Sequence, residues 1–182
     1  MDEKSTLRVI RKKFRPGGRA KTLPLPLRKN GDRVRLAELF CDLEYNIGVE
    51  IGTHKGQYSE VLCSANPKLK LYCIDPWGEY LNMPHVMQNK QDELYQEAVT
   101  RLEPYNVEIL RKKSMEALKD FVDRSLDFVY IDANHDFPFV YEDITEWAKK
   151  VKSGGIIACH DFYCIHWPGV KSGREIRLRK RC

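Results

Sequence analysis

Val49-Glu50-Ile51-Gly52-Thr53-His54-Lys55-Gly56-Gln57-Tyr58 is the stretch that decides the fold of this chain. Ile47 to Ile51 has the apolar pattern of a buried strand, and Tyr58, Val61, Leu62 and Ala65 share one helical face beyond it. Between them the chain turns through two glycines. A glycine lets the backbone reverse tightly and lets a ligand approach with no Cβ in the way. The unpaired N–H groups at the helix start favour electron-rich or anionic groups. Asp75 closes the next apolar run, nineteen residues beyond Gly56, where an acid accepts hydrogen bonds from both ribose hydroxyls of an adenosine. These features predict a nucleoside-cofactor site at the carboxyl edge of a sheet.

Outward from this turn the strand–helix rhythm continues. Upstream, Asn30-Gly31-Asp32 reads as a turn and helix cap, and Leu36, Leu39, Phe40 and Leu43 predict a helix over about 33–45. Downstream, strands are predicted at Leu69 to Ile74, Val107 to Leu110, Leu126 to Ile131 and Ile156 to Cys159. A helix over about 87–102 carries Leu94, Ala98 and Leu102 four apart. Ser114 is placed to cap a brief helix with Ala117, Leu118 and Phe121. Pro138 suits the first turn of a helix with Val140, Ile144, Trp147, Ala148 and Val151 on one face, which Ser153-Gly154-Gly155 should stop. Such alternation predicts an α/β fold, a doubly wound and mostly parallel sheet. Residues 162–182 leave room for one more helix or strand, so five or six strands are expected, short at the C-terminal end. One sheet edge then needs cover from a tail or from another protomer, a homo-oligomer.

The composition is that of a soluble globular protein, 42% hydrophobic and 31% charged over 182 residues. No apolar run is long enough to span a bilayer, and no secretory signal is visible at the N-terminus, so a cytoplasmic protein is expected. The net charge of +5 is uneven. Residues 1–30 carry +8 and residues 171–182 carry +5, which leaves −8 on the body between them. An acidic body with two basic ends predicts a mobile arm over 1–30, one domain over 31–165 and a tail over 166–182. It does not predict a nucleic-acid-binding face. Cys41, Cys63, Cys73 and Cys159 stand among apolar residues, and no C-x-x-C pair occurs, so reduced core thiols are expected rather than disulfides or zinc.

The glycine spacing separates the cofactor classes. Dinucleotide turns carry G-x-G-x-x-G, and a P-loop needs G-x-x-x-x-G-K-[S/T]; this chain has E-x-G-x-x-x-G from Glu50 to Gly56. That order of acid, glycine and glycine, with Asp75 after it, resembles the first motifs of class I, Rossmann-like S-adenosylmethionine-dependent methyltransferases. The resemblance implies that the Gly52-Thr53 turn and Gly56 hold the methionine end of the cofactor. It implies that Glu50 orients the turn and that Asp75 holds the ribose. Trp77, Ser114 and Met115 would face the adenine; plain core or rim packing is the other reading of Trp77 and Met115.

A second constellation lies at Ile131-Asp132-Ala133-Asn134-His135 and Cys159-His160-Asp161. Residues 126–162 resemble a branch of small-molecule O-methyltransferases that includes macrolide-sugar and antibiotic-pathway enzymes. The resemblance implies that Asp132, beside the cofactor, joins Asp161 in binding Mg²⁺ to clamp a substrate hydroxyl. His135 would be the general base that takes the hydroxyl proton. The branch pairs its last acid with a second acid, whereas here the neighbour of Asp161 is His160. It also continues past this point with a helix and a hairpin for which this chain has no room. The expected activity is methylation of a small, hydroxylated, sugar-like acceptor. The alternative is a catalytically silent binding or assembly module with an incomplete substrate pocket.

Overall fold

A computed structural model describes residues 2–14, 25–27, 33–78, 88–160 and 174–178, with the backbone alone described at 25–27 and 174–178. The described strands are β1 (Leu25–Leu27), β2 (Ile47–Ile51), β3 (Lys70–Ile74), β4 (Val107–Leu110), β5 (Leu126–Ile131), β6 (Val151–Cys159) and β7 (Arg174–Leu178). The helices are α1 (Glu3–Phe14), α2 (Arg33–Asp42), α3 (Gln57–Ala65), α4 (Gln88–Leu102), α5 (Ser114–Ala117) and α6 (Phe137–Lys150). All strands join one sheet in the order β1-β7-β6-β5-β2-β3-β4.

The five strands from β6 to β4 are parallel, as the alternation predicts, and β7 and β1 add antiparallel strands at the β6 edge. Seven strands replace the expected five or six. The sixth is the single strand for which residues 162–182 had room, and the seventh comes from the N-terminal segment. Together they cover the edge that needed a partner. The chain runs β2, β3, β4 to one side and then crosses back to β5 and β6. The reversal lies between β2 and β5, and in an open α/β sheet the ligand crevice forms there.

Each face of the sheet buries its own apolar layer. Ile10, Leu36, Leu39, Phe40 and Leu62 cover one face, against Leu71, Phe128 and Ile156. Ala117 and Trp147 cover the other, against Val49, Ile74, Val129 and Ile157. Phe40 stacks on Phe128 with ring centroids 4.0 Å apart. A buried aromatic pair of this kind contributes about 0.5–1.5 kcal/mol beyond its area burial. This two-layered, doubly wound arrangement is Rossmann-like.

Three local expectations are corrected. Residues 3–14 form a helix rather than part of a mobile arm, because Thr6 and Ile10 are buried against the body. The Thr6 hydroxyl donates to the Gly154 carbonyl at 2.9 Å. Val151 begins β6 rather than ending α6, and Ser153 to Gly155 form a bulge inside that strand. The pairing steps from Leu126↔Val151 to Phe128↔Ile156, and the Tyr45 and Thr6 hydroxyls satisfy the bulged Gly154 carbonyl. Cys63, Cys73 and Cys159 are buried, as expected, but Cys41 is exposed on α2. Among the described residues no helix is long and apolar enough to cross a membrane.

Candidate functional site

Strand register builds the site. Ile51 pairs with Ile74 on one side and Ile131 on the other, and Ile131 pairs with Cys159. The residues just past each strand, Gly52, Asp75, Asp132 and His160, therefore stand side by side. Backbone bonds extend the ladder by one step: Gly52 N–H to Ile74 O at 2.8 Å, Asp132 N–H to Ile51 O at 2.8 Å and His160 N–H to Ile131 O at 2.9 Å. A cavity of about 630 Å³ opens over these tips. Its walls are Arg33, Glu50, the turn from Gly52 to Lys55, Gln57, Tyr58, Asp75 and the segment from Asp132 to Asp136. That volume is in the range of small-molecule and cofactor sites.

The turn matches the reading of its glycines. Gly52 has φ +89°, and a Cβ there would lie 2.1 Å from the Asp132 carbonyl oxygen. Gly56, at φ 72°, caps α3 in the left-handed region. His54 and Trp77 also have positive φ, at 51° and 39°. Asp75 holds both strained residues: its Oδ2 accepts the His54 N–H and its Oδ1 the Trp77 N–H, each at 2.9 Å. Burial raises the Asp75 carboxyl above its ordinary value, against the lowering effect of those two N–H groups. Thr53 is buried and its N–H reaches Ile74 O at 3.3 Å.

Glu50 is buried beneath the turn and accepts a hydrogen bond from the Ser59 hydroxyl. Desolvation raises its carboxyl from 4.5 to about 8, against the Ser59 bond. Between those two values the folded protein holds a proton that the unfolded chain releases. The stability this confers is full below about pH 4.5 and is lost as pH rises through about 8. Glu50→Gln is therefore expected to flatten the decline of unfolding free energy over this window, leaving the variant more stable than the parent at pH 8 by on the order of a few kcal/mol. Urea titrations of both proteins at several pH values check this. Parallel pH profiles would show that Glu50 does not ionise on unfolding.

The other expected residues divide. His135 lines the cavity with Asp132, as the second constellation requires. Trp77 does not. Its side chain is fully buried beside Leu94 and Ala98, edge-on to Tyr95, and its indole N–H donates to His54 O at 2.8 Å. It buttresses the turn from behind. Ser114 is the first residue of α5 rather than its cap, and Lys113 holds the cap position. The Ser114 hydroxyl donates to the buried carboxylate of Asp143 and accepts the Trp147 indole N–H at 2.8 Å. Burial raises the Asp143 carboxyl to about 6. Met115 packs against the second apolar layer. Neither Ser114 nor Met115 is among the cavity walls.

Arg33 is the residue that the sequence reading missed. It opens α2, donates from Nη2 to Asp132 Oδ2 at 2.7 Å, and lies over the Tyr58 ring at 5.2 Å from its centroid. His160 Nδ1 is 3.3 Å from the other Asp132 oxygen. The Arg33 guanidinium thus occupies one oxygen of Asp132, the residue expected to meet a magnesium ion. Asp161, its expected companion, lies outside the described residues. Among the described residues no group of three or more His, Cys, Asp or Glu side chains is arranged to hold a metal ion.

Comparisons with known proteins agree with this architecture. Residues 49–162, more than half of the chain, match a family described as a methyltransferase domain. The O-methyltransferase TomG of Streptomyces achromogenes, involved in tomaymycin synthesis and solved in complex with SAM, superposes with a TM-score of 0.57 at 20% identity. That match covers 90% of this chain and 67% of TomG. An O-methyltransferase of Bacillus cereus in complex with SAH gives 0.55 at 15% identity, covering 90% and 68%. Protein y4gI of Sinorhizobium fredii is 25% identical over an alignment of 121 residues that covers 62% of this chain and 13% of that much longer protein.

Proposed function

The chain belongs to the methyltransferase domain family, and from that premise we propose that it transfers a methyl group from S-adenosylmethionine to a hydroxyl oxygen of a small, sugar-like acceptor. The observation that carries this reading is the register that sets Gly52, Asp75 and Asp132 side by side under one cavity. The Gly52-to-Gly56 turn holds the amino-acid end of the cofactor, and Asp75 accepts the ribose hydroxyls with the lone pairs its two backbone bonds leave over. Glu50 supports the turn from below. The acceptor oxygen attacks the sulfonium methyl in line. Its proton passes to His135, a C–O bond forms, the C–S bond breaks and the cofactor leaves as S-adenosylhomocysteine. The Arg33 guanidinium balances the Asp132 carboxylate in this arrangement.

Isothermal titration with S-adenosylhomocysteine tests the cofactor assignment. The wild-type chain is expected to bind it and to show no affinity for NADH. Asp75→Ala is expected to weaken binding by about 10- to 100-fold through loss of the charge-assisted hydrogen bonds to the ribose. Circular dichroism separates this from unfolding. A wild-type chain that binds NADH but not S-adenosylhomocysteine would overturn the proposal.

A further inference from the structure

Among the described residues, Asp75, Asp132 and Asp136 line the cavity as acids, beside Glu50, which burial keeps protonated near neutral pH. That field suits a sulfonium and an ammonium, but it repels a carboxylate. S-adenosylmethionine carries all three groups, so on the reading above the site needs a cation for the third. Among the described residues two Lys or Arg side chains line the cavity, Arg33 and Lys55, and the Lys55 ammonium is paired with Glu97 at 3.2 Å.

We propose that Arg33 is the anchor for the cofactor's α-carboxylate and that Asp132, held beside it, receives the α-ammonium. Arg33 uses Nη2 on Asp132 Oδ2, and its planar fork has further N–H donors for a second anion. The Tyr58 ring beneath the guanidinium limits its swing and adds a cation–π contact. Arg33 and Asp132 are thus an ion pair already arranged as the complement of a zwitterion. The pair stands beside the glycine turn, since the Asp132 carbonyl is the nearest atom to the missing Cβ of Gly52. A ligand with the adenosine and thioether but no carboxylate should keep the Asp75 contacts and forfeit this one.

The experiment compares S-adenosylhomocysteine with its decarboxylated analogue, which keeps the ammonium, on wild type and Arg33→Met by isothermal titration. Wild type is expected to prefer the carboxylate-bearing ligand by about 10- to 100-fold, the range for a bidentate charge-assisted pair. Arg33→Met is expected to bind both ligands within about threefold of each other, its remaining affinity for the analogue showing that it is folded. A preference that survives in Arg33→Met, or one absent from wild type, would overturn the assignment while leaving the cofactor site intact. Binding of neither ligand by wild type would instead remove the cofactor reading and this inference with it.

Discussion

Gly52→Ala is expected to cost on the order of 4 kcal/mol of folding stability or more, and to leave little soluble protein. Two penalties fall on one methyl group. At φ +89° an L-residue is strained wherever it stands. The new Cβ would also lie 2.1 Å from the Asp132 carbonyl oxygen, 2.5 Å from its carbon and 2.9 Å from the Ala133 Cα. These are backbone atoms at the tip of a central strand, and Asp132 is held by its N–H on the Ile51 carbonyl at 2.8 Å. The clash cannot be relieved by turning a side chain. Relief requires separating β2 from β5, on which both apolar layers rest. Gly78→Ala is the control, because its Cβ would meet only the Pro76 carbonyl oxygen at 3.7 Å. Urea midpoints for both variants measure the difference. A Gly52→Ala protein within about 1 kcal/mol of the parent would mean that the two strand tips are not this close.

What the sequence made legible follows from what local pattern can encode. The five parallel strands and the helices between them were readable because each buried face imposes a period on its own residues. Leu94, Ala98 and Leu102, predicted to share a face, are buried together on α4. The turn was readable because glycines there answer a local backbone need. Helix α1 was not read, although Leu7, Ile10 and Phe14 recur at helical spacing and pack against the core, because the basic, proline- and glycine-containing character of residues 15–30 was extended over it. The site residues missed or misplaced depend on partners distant in the chain. Arg33 meets Asp132 ninety-nine positions away. Ser114 is drawn to Asp143 and Trp147 on α6, a choice made by helix packing rather than by its place after a strand. Trp77 was read as a wall of the cavity because it follows Asp75, but a left-handed φ of 39° turns the chain there and its ring lies in a separate apolar cluster.

The same distinction between position and contact bears on His135, whose replacement by alanine is expected to reduce methyl transfer by about 100-fold or more. Its place is three residues past Asp132, on the cavity wall, while the cofactor contacts assigned above belong to Gly52, Asp75, Arg33 and Asp132. Removing the imidazole should therefore leave S-adenosylhomocysteine affinity within about threefold and lower kcat. An interaction needed only as the hydroxyl proton departs appears in turnover and not in ground-state binding. The measurement is release of S-adenosylhomocysteine against a panel of hydroxylated sugars, beside calorimetric affinity for the same ligand. Equal losses in affinity and turnover would make His135 a binding residue, and undiminished turnover would place the base elsewhere. If the parent binds S-adenosylhomocysteine tightly yet methylates no acceptor in the panel, the cavity is a cofactor site without a partnered acceptor pocket, and the silent binding module becomes the better account of the chain.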